Sequence, residues 1–241
     1  MSKRKVLTGL FISCPIFILA GCDNVSASDN QEIIKSQVLS NIDSTKTLGA
    51  ALEHRQRCES FKWEDGADEH GRQTITYTCD MSASATNDIW KREMTRFANG
   101  YASLIESAKR SIDQYNEACV ANGSDPYCFK KEPDNSKLKE GLSAAKKLAG
   151  NQIIKVKQVI IWSVLPGTEH PVRLLSAKYY FDFNNDSQSW AKQQGDNLLK
   201  DIYNNNENNN PIIGLISYKA AKVNCSYREI AAACNYLKLK P

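Results

Sequence analysis

The 241-residue sequence carries almost no excess of either charge once its first residues are set aside. It has 31 Lys and Arg against 27 Asp and Glu, and three of the basic residues are Lys3, Arg4 and Lys5, leaving 28 against 27. Nothing in that balance attracts nucleic acid. Histidine is scarce, with three residues, and no pair of cysteines has C-x-x-C spacing. The missing spacing argues against a structural zinc site and against a thioredoxin-like redox role. H-E-x-x-H, G-x-S-x-G, the Walker A pattern and G-x-G-x-x-G do not occur either, so the usual signatures of metalloprotease, hydrolase and nucleotide chemistry are absent. A bilayer-spanning helix needs about 20 apolar residues. The run "VLTGLFISCPIFILA" stops at 15, ends at Ala20 and contains Pro15.

What is there begins with that run. A basic start, a short apolar stretch and small residues at its end form the layout of a secretory signal. The small residues are Leu19-Ala20-Gly21-Cys22, a sequence that resembles the lipobox of bacterial lipoproteins. The resemblance implies that the Cys22 thiol takes a diacylglyceryl group, that the chain is cut before Cys22, and that the new amino group receives a further acyl chain such as palmitate. Each buried CH₂ contributes about 0.8 kcal/mol, so two or three chains hold where one myristoyl group barely does. Asp23 follows directly and is similar to the signal that retains enterobacterial lipoproteins in the inner membrane. The expected address is the periplasmic face of the inner membrane, with the outer membrane as alternative. Residues 24–30, "NVSASDN", are small and polar, a flexible leash of at most about 25 Å. The division is a signal peptide at 1–21, a lipidated cysteine and tether at 22–30, and one α+β domain at 31–241 with a helical insertion at 86–150.

Eight cysteines become six when Cys14 is removed and Cys22 is acylated. An even number in an oxidising compartment reads as three disulfides, although six cysteines allow fifteen pairings. "CESFKW" at 58–63 and "QTITYTCDM" at 73–81 flank the turn-forming "EDGADEHGR" and read as a hairpin. Joining Cys58 to Cys79 centres it between Asp68 and Glu69 and sets Trp63 opposite Thr74. Cys119, Cys128, Cys225 and Cys234 are left. A capping box of Ser226 with Glu229 predicts a C-terminal helix, and in a regular helix Cys225 and Cys234 would lie more than about 10 Å apart, beyond the disulfide limit of roughly 7 Å. Either that helix breaks, or these two pair with Cys119 and Cys128.

Elsewhere the periodicities alternate between helix and strand. Ser28 with Gln31 caps a helix reaching Ile42, and a short one follows at 45–54. From Thr86, apolar residues from Ile89 to Tyr115 recur at helical spacing, giving a helix of about 30 residues. Its aromatic stripe is either a core face or a partner-binding face. A further helix spans 134–150, with Leu138, Leu142 and Leu148 inward. Residues 152–165 and 172–184 form a second hairpin around Pro166-Gly167. Ser187 would cap a helix to Tyr203, "NNNENNNP" is a solvated connector, and "PIIGLISYKAAKV" reads as a strand or buried segment. The economical assembly is an antiparallel sheet built from two hairpins, with helices on one face, in the α+β class.

Residues 47–79, "TLGAALEHRQRCESFKWEDGADEHGRQTITYTC", resemble uncharacterised envelope lipoproteins of Gram-negative bacteria. The resemblance implies a small α+β envelope domain and carries over no functional residue. Each histidine follows a glutamate, as Glu53-His54, Glu69-His70 and Glu169-His170. His70 and His170 fall in the two hairpin turns, so they are the candidates for a metal or an acid–base pair. Asp65, Asp68 and Glu69 lack the EF-hand order, and Asp182 and Asp186 flank a strand end. No catalytic residue, metal or cofactor is expected. The functions in contention are a non-enzymatic protein-binding or envelope-assembly module, an immunity or inhibitor lipoprotein against a periplasm-acting toxin or muramidase, and an enzyme using His70 or His170.

Overall fold

The computed structural model describes residues 28–121, 129, 132, 134–165, 167, 171–192, 195–205 and 212–238. Cys22, Asp23, Cys128 and His170 lie outside them. In chain order the elements are α1 (Asp29–Lys35), α2 (Leu48–Glu53), β1 (Cys58–Ala67), β2 (Gln73–Met81), α3 (Ser84–Ala121), α4 (Ser136–Gly150), β3 (Ile153–Val164), β4 (Val172–Phe183), β5 (Gln188–Lys192), α5 (Gly195–Tyr203), α6 (Ile212–Arg228) and α7 (Ala231–Lys238). The strands form one five-stranded antiparallel sheet in the order β1-β2-β3-β4-β5. The expected α+β architecture holds, with α3 and α4 inserted between the hairpins.

Alternation in the strands decides where the helices go. Ile75, Tyr77 and Cys79 of β2, Val156, Ile160, Trp162 and Val164 of β3, and Ala177, Tyr179, Phe181 and Phe183 of β4 are all buried. Successive side chains of a strand point to opposite faces, so these residues share one face and their neighbours, among them Thr76, Lys157 and Tyr180, share the other. The apolar face is covered in two parts. Ile34, Leu48, Leu52, Leu198 and Ile202, from α1, α2 and α5, close over β2 and one end of β3. Trp90 and Met94 of α3 and Ile212 and Leu215 of α6 close over the other end of β3 and β4. Polar contacts fix the insertion in place: Trp90 Nε1 donates to the Leu148 carbonyl at 3.1 Å, and the Ile153 amide donates to Asn87 Oδ1 at 2.9 Å.

Several local expectations are corrected. Ser28 Oγ accepts from the Gln31 amide at 3.2 Å, but the Gln31 side chain donates to Asp65 Oδ2 at 2.6 Å and does not close the capping box. The helix ends at Lys35, well before Ile42, and Val38 bridges to Thr47. α3 runs for 38 residues, about 57 Å, and Thr86 lies inside it because the Asn87 amide already donates to the Ala83 carbonyl at 2.7 Å.

The Cys58–Cys79 disulfide is present with its Cα atoms 5.4 Å apart, yet the register differs from the expected one. Trp63 faces Tyr77 and Phe61 faces Cys79. Asp68 explains the shift. Its Oδ1 accepts from the amides of His70 and Arg72, both at 2.9 Å, and Gly71 takes φ 73°, so the turn centres on His70. An irregularity between Cys58 and Ser60 then returns Cys58 to bridging distance. The pairing places Trp63 on the buried face, 5.8 Å from Trp162.

Ser187 caps no helix. Asp186 adopts φ 58°, Asn185 Oδ1 accepts from the Ser187 amide at 3.2 Å, and the chain turns straight into β5. In "PIIGLISYKAAKV" the residues from Ile212 to Val223 belong to α6, a helix, and Pro211 lies outside the described residues. Ser226 sits inside that helix and caps nothing; the break comes at Glu229, which takes φ 51°, before α7 begins at Ala231. The break resolves the cysteine conflict, because it brings Cys225 and Cys234 to a Cα separation of 5.0 Å in a disulfide. Cys119 is also disulfide-bonded.

Two stability measurements check this packing. A Cβ on Gly141 would lie 2.3 Å from Tyr101 Cε1, and that ring cannot retreat because its hydroxyl bonds Asn224 Oδ1 at 3.0 Å. Gly141→Ala is therefore expected to lower stability by about 1–3 kcal/mol in urea titration. Replacing both Cys225 and Cys234 by serine frees a loop of 9 residues and is expected to cost about 2.5 kcal/mol, with the fold retained.

Candidate functional site

The sequence-derived candidates do not converge. His70 is exposed at the β1–β2 turn, where Nε2 lies 3.5 Å from Glu69, and His54 ends α2. The pairing of Thr74 with Ser163 puts the two hairpin turns at the same end of the sheet, but His170 is outside the described residues. Asp65, Asp68 and Glu69 point to different tasks. Asp65 accepts from Gln31 and Ser28 and docks α1, Asp68 organises the turn and pairs with Arg72 at 2.6 Å, and Glu69 projects to solvent. Asp182 accepts from Gln188 Nε2 at 2.6 Å. Among the described residues no three of His, Cys, Asp and Glu are grouped as metal ligands. Three S-x-x-K spacings occur among the described residues: Ser136 with Lys139 and Ser143 with Lys146 are exposed on α4, where nothing excludes water from a nucleophile, and Ser189 with Lys192 lie three apart in β5, which puts them on opposite faces of the sheet.

A different feature is concave. Between α3 and α6 a cleft of about 580 Å³ opens, floored by Met94, Phe97, Tyr101 and Leu104 on one side and Ile216 and Ala220 on the other. Helical spacing explains the first group, because positions 94, 97, 101 and 104 advance by three or four residues and so lie on one face. Phe97 meets Tyr101 edge-on, with centroids 5.4 Å apart at 85°. Burial raises the Tyr101 phenol above its ordinary pKa, the Arg228 guanidinium above the ring opposing this in part, so the hydroxyl stays a neutral donor to Asn224. The rim is charged: Glu93 pairs with Arg92 at 2.9 Å and Arg96 at 2.8 Å, and Arg228 stands at the far end.

Gly100 lies in the wall, and a Cβ there would meet nothing within 4 Å. Glycine inside a helix costs about 1 kcal/mol against alanine. Packing among the described residues does not call for it; what it does is leave the wall low. In the sequence this glycine is the available signal, while the apolar stripe leaves core and partner faces undistinguished.

Compared with models of protein families, with curated proteins and with solved structures, the chain matches none. No helix among the described residues is long and apolar enough to cross a membrane.

The β1–β2 turn gives a pH test. The backbone amide of Arg72 is the main influence that lowers the Asp68 pKa, opposed by desolvation and helped by the Arg72 side chain and the His70 amide. A carboxyl lowered in the folded state stabilises above its unfolded pKa, and that contribution disappears as pH falls through the folded value. Asp68→Ala is expected to lower the neutral-pH melting temperature and to flatten its decline below about pH 4, as read by thermal melts across pH.

Proposed function

We propose that this chain is a lipid-anchored protein of the periplasmic face of the inner membrane, and that it binds a protein partner in the α3–α6 groove as a non-enzymatic envelope module. The observation that carries the reading is the cysteine pairing. Cys58 is joined to Cys79, Cys225 to Cys234, and Cys119 is bonded as well. Structural disulfides persist in oxidising compartments and are rare where thiols are kept reduced, which agrees with the signal-like start and with the lipobox resemblance at Cys22. An apolar floor between two helices with a charged rim suits the apolar face of an amphipathic helix, whose side chains at i, i+3 and i+4 fill such a groove. The uncompensated Gly100 adds support, since it keeps the floor accessible at a cost in helix stability.

Two measurements test the reading separately. Intact mass spectrometry of the purified protein should give a chain that begins at Cys22 and carries diacylglyceryl and acyl groups; an unmodified Cys22 behind a retained leader would overturn the address. A photo-crosslinking residue at Phe97 should capture a protein partner, one at Lys91 should not, and Gly100→Leu should abolish capture. Leucine raises helix propensity by about 1 kcal/mol at that position, so unfolding does not account for the loss. Capture that survives Gly100→Leu would remove the groove from the proposal.

A further inference from the structure

The helices leave the second face of the sheet uncovered among the described residues, and at β3–β5 that face has a particular chemistry. Lys157, Tyr180 and Trp190 lie in one row across the three strands, and Val159, Lys178 and Lys192 in the next. Tyr180 and Trp190 are directly paired, and Trp190 is 46 % exposed. Lys178 Nζ stands 4.7 Å from the Trp190 ring centroid and Lys157 Nζ 5.5 Å from that of Tyr180.

The charges here are poorly matched within the protein. Lys178 and Lys192 face each other across the ladder, and like charges directly opposite destabilise a sheet. Two carboxylates share this part of the face, Asp80 directly opposite Lys157 and paired with Lys155 at 3.3 Å, and Asp182 opposite Lys155 and accepting from Gln188, so that Lys155, Lys157, Lys178 and Lys192 outnumber them and leave the face positive. No ion pair is formed by Lys157, Lys178 or Lys192 among the described residues. Three ammonium groups around a half-exposed tryptophan and a tyrosine are therefore complementary to an anionic layer. Tryptophan and tyrosine settle at the headgroup level of a bilayer, and anionic lipid attracts each lysine held near its surface.

We propose that this face, at β3–β5, lies against anionic phospholipid headgroups, with Lys157, Lys178 and Lys192 as counter-charges and Trp190 seated at headgroup level. The inference rests on the lipid-anchored reading, because the anchor at Cys22 is what keeps a bilayer within reach of the domain.

The test uses the full chain with its native N-terminus, mixed with vesicles of phosphatidylcholine alone or of phosphatidylcholine with phosphatidylglycerol. Flotation reads attachment, and acylation of lysines by a water-soluble ester, followed by mass spectrometry, reads contact. With anionic vesicles, labelling of Lys157, Lys178 and Lys192 is expected to fall about tenfold relative to Lys91 on α3, and to recover at high salt. Lys178→Gln with Lys192→Gln removes the like-charge pair without burying anything, and should restore labelling of Lys157. Flotation with both vesicles but equal labelling overturns this inference and leaves the anchor standing. Flotation with anionic vesicles alone, with the lysines protected, keeps the face and removes the anchor. Flotation with neither removes both. Equal labelling in both vesicles with protection by soluble polyglutamate would assign the face to an acidic protein in place of lipid.

Discussion

The structure depends on keeping one face of a five-stranded sheet out of water. Trp162, Tyr77, Ile160 and Phe181 are essentially inaccessible to solvent on that face, and each fully buried side chain of this size contributes about 1.5–3 kcal/mol relative to exposure. No single helix covers them. α1 and α2 precede the sheet, α3 and α4 interrupt it between β2 and β3, and α5 and α6 follow it. The face is sealed only when segments from all three stretches have arrived, so the long connection between the central strands is part of the core. Two buried hydrogen bonds tie the helical side to the sheet: Arg55 Nη1 donates to Gln158 Oε1 at 2.6 Å, and the Tyr77 hydroxyl donates to the Leu52 carbonyl at 2.7 Å.

The same constraint explains what the sequence makes legible. Both hairpins, their disulfide and the long helix are visible because their apolar residues repeat with periods of two or near 3.6 over many positions. The register of the first hairpin is not, because one aspartate side chain and a local irregularity move the turn, and neither leaves a periodic trace. The start of α6 reads as a strand or buried segment from its apolar residues, and buried it is, at Ile212 and Leu215, but as helix. Tertiary packing overrides that propensity, since Ile212 and Leu215 are three apart on one helical face and both reach the core formed with α3 and β4. β5 is hidden by its five residues and by Asp186, whose left-handed conformation lies outside what most non-glycine residues adopt. Glu229 hides the break before α7 in the same way.

The candidate groove was half legible. Phe97, Tyr101 and Leu104 stand out as a stripe, but a one-dimensional pattern does not tell which part of a stripe is covered. Met94 and Tyr101 are sealed, whereas Phe97 and Leu104 remain partly open, and that division depends on where α6 crosses α3. The histidines stand out for a different reason. Proximity to turns and to glutamates draws attention to them, yet among the described residues His54 faces water and exposed His70 is set 3.5 Å from the likewise exposed Glu69. The open sheet face was invisible at the level of composition, because a net charge of only +4 over 241 residues conceals how lysines are distributed once strands are laid side by side.

The Cys58–Cys79 bond has a mechanical consequence. A pull applied at the two ends of the chain enters at Cys58 and leaves at Cys79 through the covalent bridge, so the strand-turn-strand segment between them never comes under tension. With a sequence separation of 21 bypassed, the extensible length shortens by roughly 70 Å. The first hairpin is a slack loop in the load path, and Trp63 within it keeps its ring contact with Tyr77, 5.0 Å between centroids, even while neighbouring helices are being drawn away.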